Sequence, residues 1–90
     1  MLEKDIEKKC KNYLKMNRGW LVKLGWIRGM PDRMALIPPG RVCFFEFKVP
    51  GEHPTPLQYY RLSQLRQRGF QAVWVDSFRS FKLIVDDGLH

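Results

Sequence analysis

Apolar residues recur at intervals of three and four along residues 2–17, at Leu2, Ile6, Cys10, Tyr13 and Leu14, with Lys and Asp on the other side. That period predicts a helix with one buried face, and Arg18-Gly19 ends it. Residues 19–27 (GWLVKLGWI) are rich in aromatic and branched side chains and predict a strand, followed by a turn at Arg28-Gly29-Met30-Pro31. Residues 32–37 predict a second strand, Pro38-Pro39-Gly40 a tight turn, and residues 41–49 a third strand. Turn-forming residues fill positions 50–56. Thr55 and Pro56 then open a second helix, as N-cap and first helical residue, which runs to Arg68 with Gly69 beyond it. Residues 70–75 predict a fourth strand. Residues 77–85 predict a short closing helix, with a strand as the alternative. The order αβββαβα describes an α/β fold, a mixed four-stranded sheet flanked by helices in one domain spanning residues 1–90.

The third strand breaks the simple pattern. Side chains alternate across a strand, so Cys43, Phe45, Phe47 and Val49 share one wholly apolar face. Val42, Phe44, Glu46 and Lys48 share the other, with an acid and a base at its C-terminal end. The turn at Pro38-Pro39-Gly40 makes the second and third strands hairpin neighbours. Asp32 starts the first arm and Glu46 and Lys48 end the second, so all three converge. Carboxylate oxygens suit a hard divalent cation such as Mg²⁺, which binds a phosphate oxygen and acidifies a water. A lysine beside them orients that water or neutralises phosphate charge. The competing reading is a Glu–Lys ion pair on a half-exposed sheet, because an isolated E-x-K is common. Asp32, set opposite after a Gly-x-Pro turn, tilts the balance towards a site.

Charge adds a partner. Sixteen Lys and Arg against nine Asp and Glu leave a net charge of +7, and the pI is about 9.8. A polyanion fits, nucleic acid first and an anionic membrane surface second. No stretch approaches the roughly 20 apolar residues of a membrane span, and MLEKDIEKK lacks the apolar core of an export signal. Cys10 and Cys43 form no C-x-x-C pair; both read as reduced core residues, and a cytoplasmic location is expected.

The segments GMPDR, PPGRVCFFEFKVPG and PLQYYRLSQLRQRGFQAVWVD together resemble the virus-type replication-repair nuclease (VRR-NUC) domain of the PD-(D/E)XK nuclease superfamily. The resemblance runs from the first helix to about Asp76. It implies the restriction-endonuclease-like core and a Mg²⁺- or Mn²⁺-dependent endonuclease that hydrolyses DNA phosphodiesters. Small standalone relatives of phages and prophages imply a homodimer that cuts branched DNA such as Holliday junctions, within a bacterial host, in repair or recombination. Position by position, Asp32 and Glu46 match the metal ligands and Lys48 the lysine. The backbone carbonyl of Phe47 is a further ligand, and Gln58 matches the glutamine of the following helix. The resemblance also implies an acid on the first helix. Glu7 fits, with Cys10 and Leu14 beyond it, and Glu3 is the competitor.

Several of these residues have plainer readings. Thr55 and Gln58 form a T-x-x-Q capping box that requires no catalysis. Glu3 and Glu7 suit a helix N-terminus in any case. His53 reads as a bystander. Lys23 either faces the site or reaches solvent from a sheet edge. Lys8, Lys9, Lys11, Arg61, Arg66 and Arg68 are candidate backbone contacts, or simply solvated charge. Trp20, Trp26 and Trp74 read as core, interface or stacking platforms. For the whole protein, the alternatives to an enzyme are a non-catalytic DNA-binding module on the same fold and a small interaction protein whose charge is incidental.

Overall fold

The computed structural model describes residues 2–25 and 27–87, so Trp26 lies outside the described residues. The element order is α1 (Glu3–Met16), β1 (Trp20–Lys23), β2 (Arg33–Ile37), β3 (Arg41–Phe47), α2 (Pro56–Gln67), β4 (Gln71–Val75) and α3 (Phe78–Asp87). The closing segment is thus the helix rather than the strand. The four strands form one sheet in the order β1-β2-β3-β4. The first two pairings are antiparallel and β3–β4 is parallel, with α2 as the crossover.

The helix face read from the sequence buries Ile6, Cys10 and Leu14 completely or nearly so, while Leu2 is exposed. They meet Ala35, Ile37, Cys43, Phe45, Phe47 and Val75 of the sheet, and Phe81 and Val85 of α3. Phe45 and Phe81 lie 4.6 Å apart between ring centroids, and Phe47 sits 5.8 Å from Phe81. Both thiols are in this layer, and burial pushes Cys10 and Cys43 each up to about 12, so they stay protonated. Tyr13 donates its hydroxyl to Asp86 and packs edge-on against Phe78, tying α1 to α3. A second, smaller cluster on the opposite face joins Leu62 and Leu65 of α2 to Ala72, Met30, Phe44 and Trp74. The result is three layers: α1 and α3, the sheet, then α2.

The strands are shorter than the sequence pattern suggests. β1 ends at Lys23 rather than 27, although the Leu24 amide still donates to Asp32 O at 2.8 Å. The expected third strand to 49 stops at Phe47, although the Lys48 amide continues the ladder to Val75 O at 2.9 Å. Asp32 precedes β2. The helix ends are specified locally. Thr55 and Gln58 exchange bonds between side chain and backbone N–H at 2.8 and 3.2 Å, and Pro56 opens the first turn. α2 closes with Phe70 N–H on Leu65 O and Gly69 N–H on Arg66 O, with Gly69 at φ +87°. α1 closes the same way, but Arg18 takes the left-handed position at φ 63°. Gly19 is required for another reason: a Cβ there would lie 2.7 Å from the Leu36 carbonyl oxygen.

Candidate active site

Three elements converge at one end of the sheet. The antiparallel register pairs Arg33 with Phe45; one step further it sets Asp32 against Glu46. α1 packs over this end and carries Glu3 and Glu7 one turn apart, on the same face. Carboxylate oxygens of Glu3, Glu7 and Asp32 all lie within 4.8 Å of one another. Glu46 stands outside that trio but couples to all three of its carboxyls and to Lys48.

The electrostatics are those of acids forced together and away from water. Glu46 is only 4% exposed. Burial, reinforced by Asp32 and opposed by Lys48, pushes its carboxyl up to about 7. Burial also raises Asp32, with the Arg33 guanidinium pulling the other way. Glu3 is raised by burial and then by Asp32 and Glu7; Glu7 is raised by burial and held back by Arg33. Among the described residues, Asp32 Oδ1 is the one buried side-chain polar atom without a hydrogen-bond partner. A buried, unpaired carboxylate oxygen is costly unless something positive reaches it. An orphaned oxygen and clustered carboxylates fit a hard divalent cation.

The sequence-predicted residues fare differently. Asp32 and Glu46 are brought together as expected, with half-buried Lys48 two residues beyond Glu46 and electrostatically coupled to Asp32, Glu46 and Glu3. Both competing helix acids reach the site: Glu7 is engaged by Arg33 at 2.8 Å, and Glu3 feels Asp32 and Lys48. Gln58 is committed through Oε1 to the Thr55 amide, as the plainer reading held. Phe47 sits at the end of β3, with its ring buried in the main core. Lys23 is exposed at the end of an edge strand and also lines a cleft with Glu7 and Arg33, so both readings made for it hold.

Arg33 was missed. Its guanidinium grips Glu7 and the Asp32 carbonyl, at 2.8 and 2.9 Å, and so fixes α1 to the start of β2. Strand alternation held the signal, because it points Arg33 to the side opposite Asp32, where α1 lies. The α2 arginines are mostly spent on structure: Arg61 on Arg28 O, Arg66 on Ala72 O and Arg68 on Gln64 O. His53 packs edge-on against Trp74, 5.4 Å between centroids.

The fold, with its acid cluster at a strand end, is that of a nuclease-type domain. The type is narrower: one solved VRR_NUC domain superposes with a TM-score of 0.85 at 26% identity, over 93% of this chain and 94% of its own. A second, a VRR_NUC domain protein, gives 0.73 at 18% identity over 93% and 85%, a likeness of fold alone. The resemblance carried by GMPDR and FEFKVPG therefore stands. The "Putative nuclease p44" of Acyrthosiphon pisum secondary endosymbiont phage 1 is 44% identical over 50 residues, 56% of this chain. The match spans about half of that relative, 54% of its length. No family model matches the chain. No described helix is long and apolar enough to cross a membrane.

Proposed function

We propose that the protein is a divalent-metal-dependent DNA endonuclease acting on branched DNA such as Holliday junctions, in repair or recombination. The observation that carries this reading is the orphaned Asp32 Oδ1, set among the carboxylates of Glu3, Glu7 and Glu46. Asp32 and Glu46, with the Phe47 carbonyl, would hold Mg²⁺ or Mn²⁺, and Glu7 or Glu3 would hold the ion or its water. When bound, the cation polarises the phosphodiester and acidifies a water. Lys48 would orient the attacking water and offset phosphate charge. Glu46, whose carboxyl is raised to about 7 without metal, would have to lose its proton to hold the cation, so metal binding should strengthen as pH rises through that range. Gln58 supports the site as a positioning residue, through the cap that fixes the start of α2.

The described domain is a single sheet with three helices and offers few elements with which to read bases, which favours recognition of DNA shape and backbone. A homodimer would present two sites with two-fold symmetry to a symmetric junction. It is supported by an apolar cleft of about 300 Å³ lined by Leu24, Ile27, Met30, Met34 and Phe44. Light scattering tests that point directly.

The decisive experiment incubates a four-way junction, a flap and a linear duplex with Mg²⁺, Mn²⁺ or chelator. Cutting of branched DNA that needs metal and disappears in Glu46→Ala is expected. No cutting under any condition, or an active Glu46→Ala, sinks the reading. Binding without cutting would instead favour the non-catalytic DNA-binding module.

A further inference from the structure

α1 carries Lys4, Lys8, Lys11 and Lys15 at intervals of four, three and four, which places them on one helical face. Like charges so spaced repel one another along the helix. Among the described residues, none of the four forms a salt bridge. A stripe that weakens its own helix without internal partners calls for an external anion.

The stripe borders a groove between α1 and the edge strand β1. One cleft of about 340 Å³ is lined by Lys4, Lys8, Lys11 and Lys23, with Glu7 and Arg33. The next, about 220 Å³, is lined by Lys11, Lys15, Gly19, Trp20 and Leu21. Lys11 and Leu21 line both, so the two run on from each other. Glu7 is the single acid in either lining, and Arg33 already neutralises it. At its near end the groove therefore opens on the carboxylate site. At its far end stands Trp20, an indole 70% exposed to water.

We propose that this groove holds a single-stranded DNA tail leaving the carboxylate site. Its phosphates lie along the α1 lysines, and a base stacks on Trp20. A cationic groove ending in an exposed aromatic is the combination that binds unpaired strands. Lys4 to Lys15 spans roughly 16 Å of helix at about 1.5 Å per residue, long enough to follow more than one phosphate of an unpaired strand. The tail's direction from the site rests on the nuclease reading; the groove and its ligand do not.

The test is fluorescence anisotropy in chelator, with an oligo-dT and a blunt duplex, so that cleavage plays no part. Lys8→Glu/Lys11→Glu is expected to weaken oligo-dT binding about tenfold or more. It should also reduce the salt slope by roughly 1.4, for two lost phosphate contacts on a single strand. Trp20→Ala should weaken oligo-dT about tenfold and the blunt duplex less than twofold. Arg28→Glu/Arg79→Glu, the same charge change at exposed positions elsewhere, should do little, and Lys8→Gln/Lys11→Gln guards against a folding defect in the charge reversal. Equal losses in the Arg28/Arg79 pair, an unmoved Trp20→Ala, or equally tight binding of oligo-glutamate would each overturn the proposal. A protein that cuts junctions while its groove variants bind oligo-dT normally would refute the groove and leave the nuclease standing. One that never cuts but shows these losses would do the reverse.

Discussion

Glu46 is the residue on which the chemistry and the stability both turn. Its folded carboxyl sits at about 7 against an ordinary 4.5. The folded state therefore binds more protons than the unfolded chain between those values, and stability falls as pH rises through that window. In chelator, the melting temperature should fall from pH 4.5 to pH 7, with Asp32, Glu3 and Glu7 acting in the same sense. Glu46→Gln should flatten that decline and melt about 5 °C or more above the parent at pH 8. A parent that melts higher at pH 7 than at pH 4.5 would contradict this account. Arg33 is the counterpart. Arg33→Ala removes the cation between Glu7 and Asp32 and should cost about 1–3 kcal/mol in chelator. Mg²⁺ should then raise the variant's melting temperature by more than it raises the parent's. Asp32, Glu46 and Lys48 were legible in the sequence because one hairpin and strand alternation suffice to bring them together. Arg33 stood in the same motif, but its partner lies on a helix that the motif does not contain. The choice between Glu3 and Glu7 was not legible either, since both lie on the face that covers the strand end.

At the scale of elements, the ends of the helices matter most. Arg18 occupies a left-handed conformation and the glycine beside it does not. Arg18→Gly should stabilise by about 0.5 kcal/mol, the relief of the strain being partly offset by a freer unfolded chain. Gly19→Ala should destabilise by about 1–3 kcal/mol, because the added methyl meets the Leu36 carbonyl. Urea denaturation measures both, and opposite signs are expected. For Gln58, Ala substitution should cost about 1 kcal/mol and lower cleavage, while Gln58→Glu, which restores a T-x-x-E box, should recover both. Cleavage lost in Gln58→Glu at normal stability would instead mean that the amide itself serves the chemistry. Both main helices and the turn chemistry were readable, because caps and apolar periods are local. Strand ends were not. β1 and β3 stop early, and where a strand stops depends on its neighbours' register rather than on its own residues.

For the molecule as a whole, Phe81 shows how far the site depends on remote packing. It closes the core over Phe45 and Phe47, and Phe→Ala in such a place costs about 3–5 kcal/mol. Domains of this size commonly have about 5–15 kcal/mol in total. Phe81→Ala should therefore leave a marginal protein whose cleavage fails at 37 °C before its far-ultraviolet circular dichroism is lost. The mixed sheet and its flanking helices were expected from the alternation of periods. Which helices share a layer was not, because α1 and α3 are joined by contacts such as Tyr13 with Phe78 and Asp86, far apart in sequence.

That pairing of α1 with α3 has a consequence for synthesis. Asp32, Glu46 and Lys48 lie on one contiguous hairpin and come together as soon as it forms. Glu3 and Glu7 reach them only when α1 docks, and the layer that receives α1 includes Phe81 and Val85 of α3. Before α3 is made, α1 has only the sheet and the Arg33–Glu7 pair to hold it, and the layer that seats Glu3 and Glu7 lacks Phe81 and Val85. The full set of four acids is therefore complete only once α3 has been made and its layer has closed.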